Sequence, residues 1–218
     1  MAVEQQLPVS SSAQPRVSRM AGGGTDGNER LTAATGAVLI ALLAVIGVTI
    51  ISLRPLLSVH LFVGILLIGP VALKLGSTGY RFVRYYTRNP TYRRKGAPPQ
   101  LQRLIIAPVV VVSTVVVLAS GVALLFVGPQ SRGTLLPIHK VSFFVWVAFT
   151  ALHVLVHLAA LPRALRADYG APGPWREEIG GRSGRILSLA GALTAGAVLA
   201  ILLIPQFAPW LNFHGGHH

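Results

Sequence analysis

Five long apolar stretches, separated by polar segments, dominate the pattern of the chain. Each lacks Asp, Glu, Lys and Arg over roughly the 20 residues that a helix needs to cross the hydrocarbon of a bilayer. They are residues 31–53, 55–73, 104–131, 141–162 and 186–205. A spanning segment must satisfy its own backbone, so even the valine-rich third stretch is predicted to be helical. The pattern predicts an all-α membrane protein with five transmembrane helices.

The basic residues are divided unequally between the two ends of these helices. Of the 19 Lys and Arg residues, only Arg54, Arg132 and Lys140 fall at the end that carries the carboxy terminus. Positive charge concentrates in cytoplasmic loops. We therefore expect a multi-pass protein of the cell's inner (cytoplasmic) membrane, with the amino terminus inside and the carboxy terminus outside. The formal net charge of +13 then reports topology and does not indicate a nucleic-acid partner.

Composition divides the chain into a core and its flanking segments. The predicted parts are a disordered cytoplasmic tail (1–30), a four-helix core (31–162), a cytoplasmic loop (163–185), a fifth helix (186–205) and an external His-rich tail (206–218). In the last part, His214, His217 and His218 either bind copper, nickel or zinc loosely or have no fixed role. Gly191 with Ala195, and Ala192 with Gly196, have the spacing of small residues that lets membrane helices approach closely.

Two histidines occupy equivalent positions in a repeated motif. LLSVH ends at His60 and LLPIH ends at His139, and each follows a helix with a glycine in its outer part, Gly47 or Gly121. Both helical hairpins are predicted to turn at the outer face, so the two imidazoles should lie at about the same depth. An imidazole in hydrocarbon is costly unless something binds it. The repeat predicts that His60 and His139 meet one metal from opposite sides.

A second, inner site is only half formed. From His139 to His153, at about 100° and about 1.5 Å per residue, the fourth helix returns to nearly the same face about 21 Å lower. The equivalent position after His60 is Lys74. Lys74 either snorkels toward water or, once deprotonated, ligates a metal with His153. His153 and His157 share one helix and cannot be trans ligands of one iron; they bond across helices, bind a small metal or line a proton or quinone path.

The hairpin SGVALLFVGPQSRGTLLPIHKVSFFVWVAFTALHVLVHL resembles the membrane-integral b-type cytochromes of the bacterial cytochrome b561 and hydrogenase or formate dehydrogenase cytochrome b class, and a related small b561-like membrane domain. In that class a four-helix bundle of two hairpins holds haem b between histidines and passes electrons between a quinone pool and a partner enzyme. The resemblance implies that His60 and His139 ligate an outer haem and that His153 is one inner ligand. Lys74 departs from the pattern, and the fifth helix is an addition.

These features favour a haem protein over a simpler interpretation of the histidines and glycines. Gly47 and Gly121 give a flat macrocycle room near the helix backbone, whereas the alternative is that the glycines aid packing and the histidines are interfacial. The absence of cysteine excludes thiolate-bound iron–sulfur clusters and covalent c-type haem. We expect an electron-transfer subunit that relays electrons between an outer-side redox partner and quinone or a second site. The rival is a non-haem membrane subunit that handles or transports metal or has a structural role.

Overall fold

A computed structural model describes residues 23–88, 90–94, 100–158, 162, 166 and 180–213. This part of the chain is helical and contains no strand. Five of its helices are long and apolar enough to cross a membrane. The predicted class, an all-α multi-pass membrane protein in contact with the lipid bilayer, is confirmed. The expected tail before residue 23, the greater part of the loop 163–185, and His214, His217 and His218 lie outside the described residues.

The five spans consist of the following helices. The first span is α1 (Gly24–Ile51), and the second is α2 (Leu57–Leu66) followed by α3 (Ile68–Tyr86). A short helix α4 (Pro90–Arg94) follows, and a π-helical turn (Gln102–Ile106) leads into the third span, α5 (Ala107–Val127). The fourth span is α6 (Leu135–Leu158) and the fifth is α7 (Arg182–Leu202). A 3-10 turn (Ile204–Phe207) and helix α8 (Ala208–Leu211) follow the fifth span.

The first span begins at Gly24 rather than near Leu31, so residues 24–30 are helical instead of belonging to the tail. The reason is that this turn has partners on the second span. The side-chain amide of Asn28 donates a hydrogen bond to the carbonyl of Ser77 at 3.1 Å. The apolar pattern predicts where a helix leaves the hydrocarbon. It does not predict a further polar turn that is stabilised by hydrogen bonds to a neighbouring helix.

The spans pack as two groups that meet near one end. The first, second and fifth spans pack together, and the third packs along the fourth. Contacts between the two groups are concentrated between α2 and α5 and around the 3-10 turn. The other half of the second span, α3, packs on the first and fifth spans. The two hairpins therefore meet at the end where α2 begins and are less closely packed toward the other end.

The second and fifth spans cross with their backbones in direct contact. A methyl group built on Gly69 would collide with the carbonyl of Ala192, and one built on Gly196 would collide with the carbonyl of Leu66. Pro70 has no N–H, so the Leu66 carbonyl receives no bond from the residue four positions later. The Cα–H groups of the two glycines face these carbonyls, a contact that recurs where membrane helices approach closely. The pair Ala192 and Gly196 thus forms the close crossing, whereas Gly191 has no atom within 4 Å of its Cβ position.

The segment after the fifth span folds back over the end of the bundle where the hairpins meet. Phe207 is buried with Ile65, Leu125 and Ala200, which come from three different spans. The indole nitrogen of Trp210 donates to the carbonyl of Leu124 at 3.2 Å, a carbonyl that also accepts from the N–H of Gly128 at 3.1 Å at the end of α5. The segment after the fifth span therefore covers the end of the bundle where the hairpins meet.

Candidate functional site

His60 and His139 lie at the end where the two hairpins meet. His60 stands in the first turn of α2 and His139 at the start of α6, and both side chains are half-buried. The two rings are close enough for the charge of one to act on the other. The two histidines of the repeated motif therefore come from different hairpins and lie at the same end of the bundle.

The hydrogen bonds of His139 define which ring nitrogen carries its proton. Nδ1 lies 3.0 Å from the carbonyl oxygen of Val117, which can only accept a hydrogen bond. Nδ1 must therefore be the protonated nitrogen. The hydroxyl of Ser120 lies 3.1 Å from the same nitrogen and donates its own proton to the carbonyl of Val116 at 2.6 Å. Nε2 of His139 is left with a lone pair.

His60 is held in the same tautomer by a different partner. Its Nδ1 lies 3.0 Å from the hydroxyl oxygen of Thr49 on the preceding span. That hydroxyl has one proton, which it donates to the carbonyl of Ile46 at 2.6 Å. The hydroxyl oxygen therefore accepts the Nδ1 proton of His60. Thr49 is 1% exposed, so water does not compete for this contact. Nε2 of His60 also keeps a lone pair.

Two neutral imidazoles held in this way are prepared for a metal. A ligating histidine binds through one nitrogen while the other donates to a carbonyl or hydroxyl that fixes the ring. Among the described residues, no group of three or more His, Cys, Asp or Glu side chains is arranged to hold a metal ion. Two protein ligands suit a metal whose remaining coordination positions are filled by its own macrocycle. The donor set therefore fits haem iron better than a bare ion.

The glycines around the two rings differ in what they adjoin. A Cβ on Gly121 would lie 3.1 Å from Cε1 of His139, so this glycine makes room for the imidazole itself. No atom of the chain lies within 4 Å of the Cβ position of Gly47 or of Gly64, which is one turn beyond His60 on the same face. The face of α2 that carries His60 is therefore open at Gly64, whereas Gly47 is exposed and lies about 200° around its helix from Thr49, the residue that contacts His60.

Lys74 does not lie against His153. Its amine donates to the carbonyl of Thr32 on the first span at 2.7 Å and rests 3.2 Å from the Cβ position of Gly36. One turn further, the hydroxyl of Thr32 donates to the hydroxyl of Ser77 at 3.0 Å. Lys74 thus belongs to a polar clamp between the first and second spans.

His153 is half-buried in the second half of the fourth span, which packs along the third. The second span contributes no histidine beside it, because the equivalent position holds Lys74. The side chain of His157 is outside the described residues. The structure therefore gives His60 and His139 hydrogen bonds at the end where the hairpins meet, and it gives Lys74 a partner on the first span.

Sequence reasoning missed the two hydroxyl residues that hold the rings. Thr49 stands two residues after Gly47, whereas Ser120 stands one residue before Gly121, so the hydroxyls do not repeat in register. A search for a hydroxyl side chain close to each glycine would have found both. Each lies on the helix that precedes its histidine, at the depth where the hairpin turns.

Comparison of the chain with protein-family models, curated proteins and solved structures finds no match. The resemblance to b-type membrane cytochromes therefore rests on the motif residues alone. The chemistry of the site rests on the two imidazoles, the hydroxyls and carbonyls that hold them, and the open space at Gly64.

Proposed function

We propose that this chain is a membrane-integral b-type cytochrome that binds one haem b between Nε2 of His60 and Nε2 of His139. The observation that carries this proposal is the shared tautomer of the two rings, each with Nδ1 bonded to the neighbouring helix and Nε2 left with a lone pair. A bound haem supplies reversible one-electron transfer. The chain would act as an electron-transfer subunit rather than as a stand-alone enzyme.

The protein residues would orient the ligands and tune their basicity. Val117 accepts the proton of His139 through a carbonyl, and Thr49 accepts that of His60 through a hydroxyl. Both bonds fix the ring planes and raise the electron density on Nε2. The backbone at Gly64 leaves room on the face of α2 that carries His60. These features of both hairpins support the proposal of a bis-imidazole haem site.

The charge distribution supports an orientation of the relay in the membrane. With the amino terminus inside, in a cell's inner membrane, the His60/His139 end faces outward, because Arg54, Arg132 and Lys140 are the basic residues at that end. An outer-side redox protein would then exchange electrons at this end. Quinone within the bilayer, or a second site, would be the other partner.

The direct test is the visible spectrum of the full chain purified from haem-replete cells. We expect a Soret band and a sharp α-band on reduction, and we expect His60→Ala and His139→Ala each to remove them. The matched control is His153→Ala, which removes an imidazole from the same membrane helix as His139 and should leave the bands intact. A colourless wild-type protein would refute the proposal and favour the non-haem membrane subunit.

A further inference from the structure

The end of the bundle that carries His60 and His139, the histidine end, is basic. Arg54, Arg132 and Lys140 are its Lys and Arg residues. Every acidic side chain of the sequence belongs to a segment at the opposite end, which is either the segment up to the start of the first span or the one between the fourth and fifth spans. These six residues are Glu4, Asp26, Glu29, Asp168, Glu177 and Glu178. The sequence therefore supplies no Asp or Glu to pair with the three cations at the histidine end.

Arg132 lies on the same face of the fourth span as His139. Its carbonyl accepts a hydrogen bond from the N–H of Leu136 at 3.1 Å, which extends the helical bonding of α6 back toward Arg132. The less exposed positions of this segment are 132, 135, 136 and 139, and the positions between them are exposed apart from 135 and 136 themselves. This spacing is that of one face of a helix. Seven positions correspond to about two turns, so Arg132 lies about 10 Å beyond His139, toward the end of the bundle.

The guanidinium of Arg132 is held by the segment that follows the fifth span. Its central carbon lies 5.1 Å from the centre of the Phe213 ring, within the distance of a cation–π contact. Three residues before Phe213, Trp210 donates to the carbonyl of Leu124 on α5. Leu124 is one turn beyond Ser120, the residue that contacts His139. The ring of Phe213 fixes the guanidinium but offers no oxygen acceptor to its N–H donors.

A haem bound at this end would bring carboxylates to it. Haem b carries a pair of propionate groups at one edge of its macrocycle, and they are negatively charged at neutral pH. Because a charge is costly in hydrocarbon, a haem between His60 and His139 would turn this edge toward the nearer end of the bundle. Arg54 and Lys140 are exposed at that end, whereas Arg132 is half-buried on the face of His139.

We propose that Arg132 binds a propionate of the haem, an inference that rests on the proposed haem function. A guanidinium donates two parallel hydrogen bonds to one carboxylate, a geometry that the amine of lysine does not match. Arg132 thereby anchors the edge of the macrocycle while His60 and His139 hold the iron. Phe213 keeps the guanidinium in place for this contact.

The test is a titration of the apoprotein of the full chain with haem b and with its dimethyl ester, each followed by the Soret band. The ester has the same macrocycle and iron but no propionate charge. Arg132→Gln should weaken the binding of haem b about tenfold, the cost of losing hydrogen bonds to a charged group. It should leave the affinity for the ester unchanged, which also reports that the variant folds. The matched control Arg54→Gln removes the same charge from an exposed position at the same end and should leave both affinities unchanged.

Two outcomes would overturn the role of Arg132 while the haem function stands. An equal loss of affinity for haem b and for the ester in Arg132→Gln would indicate a structural role. An equal loss for haem b in Arg54→Gln would assign the effect to net charge. Arg132→Lys keeps the charge without the paired donors and should retain part of the difference between the two ligands. A wild-type chain that binds neither haem b nor the ester would instead refute the proposed function itself.

Discussion

Nδ1 of His60 lies 3.0 Å from the hydroxyl oxygen of Thr49, and this contact joins the first and second spans beside the open space between the hairpins. The hydroxyl is the acceptor that fixes the ring. His139 has a carbonyl and a hydroxyl at its Nδ1, so the two rings are held by unequal sets of partners.

This inequality predicts different effects for the two hydroxyl residues. Thr49→Val removes the acceptor of His60 and should weaken haem binding about 10- to 100-fold, the usual cost of losing a bond that orients a ligand. Ser120→Ala should cost much less, because His139 still donates to Val117. Haem titration of the apoprotein, followed by the Soret band, measures both effects.

Each variant has a matched control on its own helix. Thr35 is fully buried and bonds the carbonyl of Leu31, and Ser113 is 6% exposed and bonds the carbonyl of Val109. Thr35→Val and Ser113→Ala should leave haem affinity unchanged. If Thr49→Val and Thr35→Val weaken binding equally, the orienting role of Thr49 is wrong.

The open face of α2 at Gly64 predicts a glycine that cannot carry a large side chain when haem is bound. Gly64→Leu adds bulk on the face that carries His60, where the described residues have no atom within 4 Å, so the apoprotein should fold normally while its haem content falls sharply. Gly191→Leu on the fifth span, also with no atom within 4 Å, is the control and should bind haem fully. The haem-to-protein ratio of the two purified variants measures this difference. Full haem content in Gly64→Leu would exclude a macrocycle from this space.

The polar clamp of Lys74 predicts one haem per chain. Lys74→Met removes the bond to the Thr32 carbonyl. It should leave the spectrum unchanged and lower stability by about 0.6 to 1.7 kcal/mol, the range for interhelical hydrogen bonds in membranes. Haem content and thermal unfolding in detergent provide the two measurements. A wild-type ratio near two that falls to one in His153→Ala would show that an inner haem exists.

The glycine crossing predicts a large difference between two neighbouring glycines. Gly196→Ala drives a methyl group into the Leu66 carbonyl and should destabilise the protein by about 1–3 kcal/mol, as overpacking does. Gly191→Ala, on the same helix and in open space, should be neutral or slightly stabilising. Unfolding in increasing denaturant distinguishes them, and equal stability of the two variants would contradict the close approach.

The charge distribution predicts the topology independently of the site. Reporter fusions at the carboxy terminus should be active outside the cell membrane, and fusions in the segment 85–94 should be active in the cytoplasm. The segment is rich in arginine, whereas the carboxy-terminal end has Arg54, Arg132 and Lys140 as its basic residues. The reverse pattern would place the histidine pair at the cytoplasmic face and invert the orientation of the proposed relay.

The apolar pattern predicted the class of the protein because it can be recognised within each helix separately, without knowledge of the neighbouring helices. An apolar stretch of spanning length must be helical in lipid, and the repeat LLSVH/LLPIH places His60 and His139 at one end of two hairpins. Contacts between helices were not predictable in this way. The bond from Lys74 to Thr32 depends on how the first two spans rotate, and the acceptor at Thr49 depends on the loop between them. Both needed coordinates, because many rotations satisfy the same apolar pattern.

The crossing of Gly69 and Gly196 has a consequence for biogenesis. Synthesis proceeds from the amino end, so the second span enters the bilayer while the fifth is still to be translated. Until then Gly69 faces acyl chains. The Leu66 carbonyl is also exposed to hydrocarbon, because Pro70 has no N–H to donate to it. An unpaired carbonyl in hydrocarbon costs several kcal/mol. Arrival of the fifth span covers both. A chain in which the fifth span has not yet inserted therefore carries an uncovered backbone carbonyl in the middle of the second span.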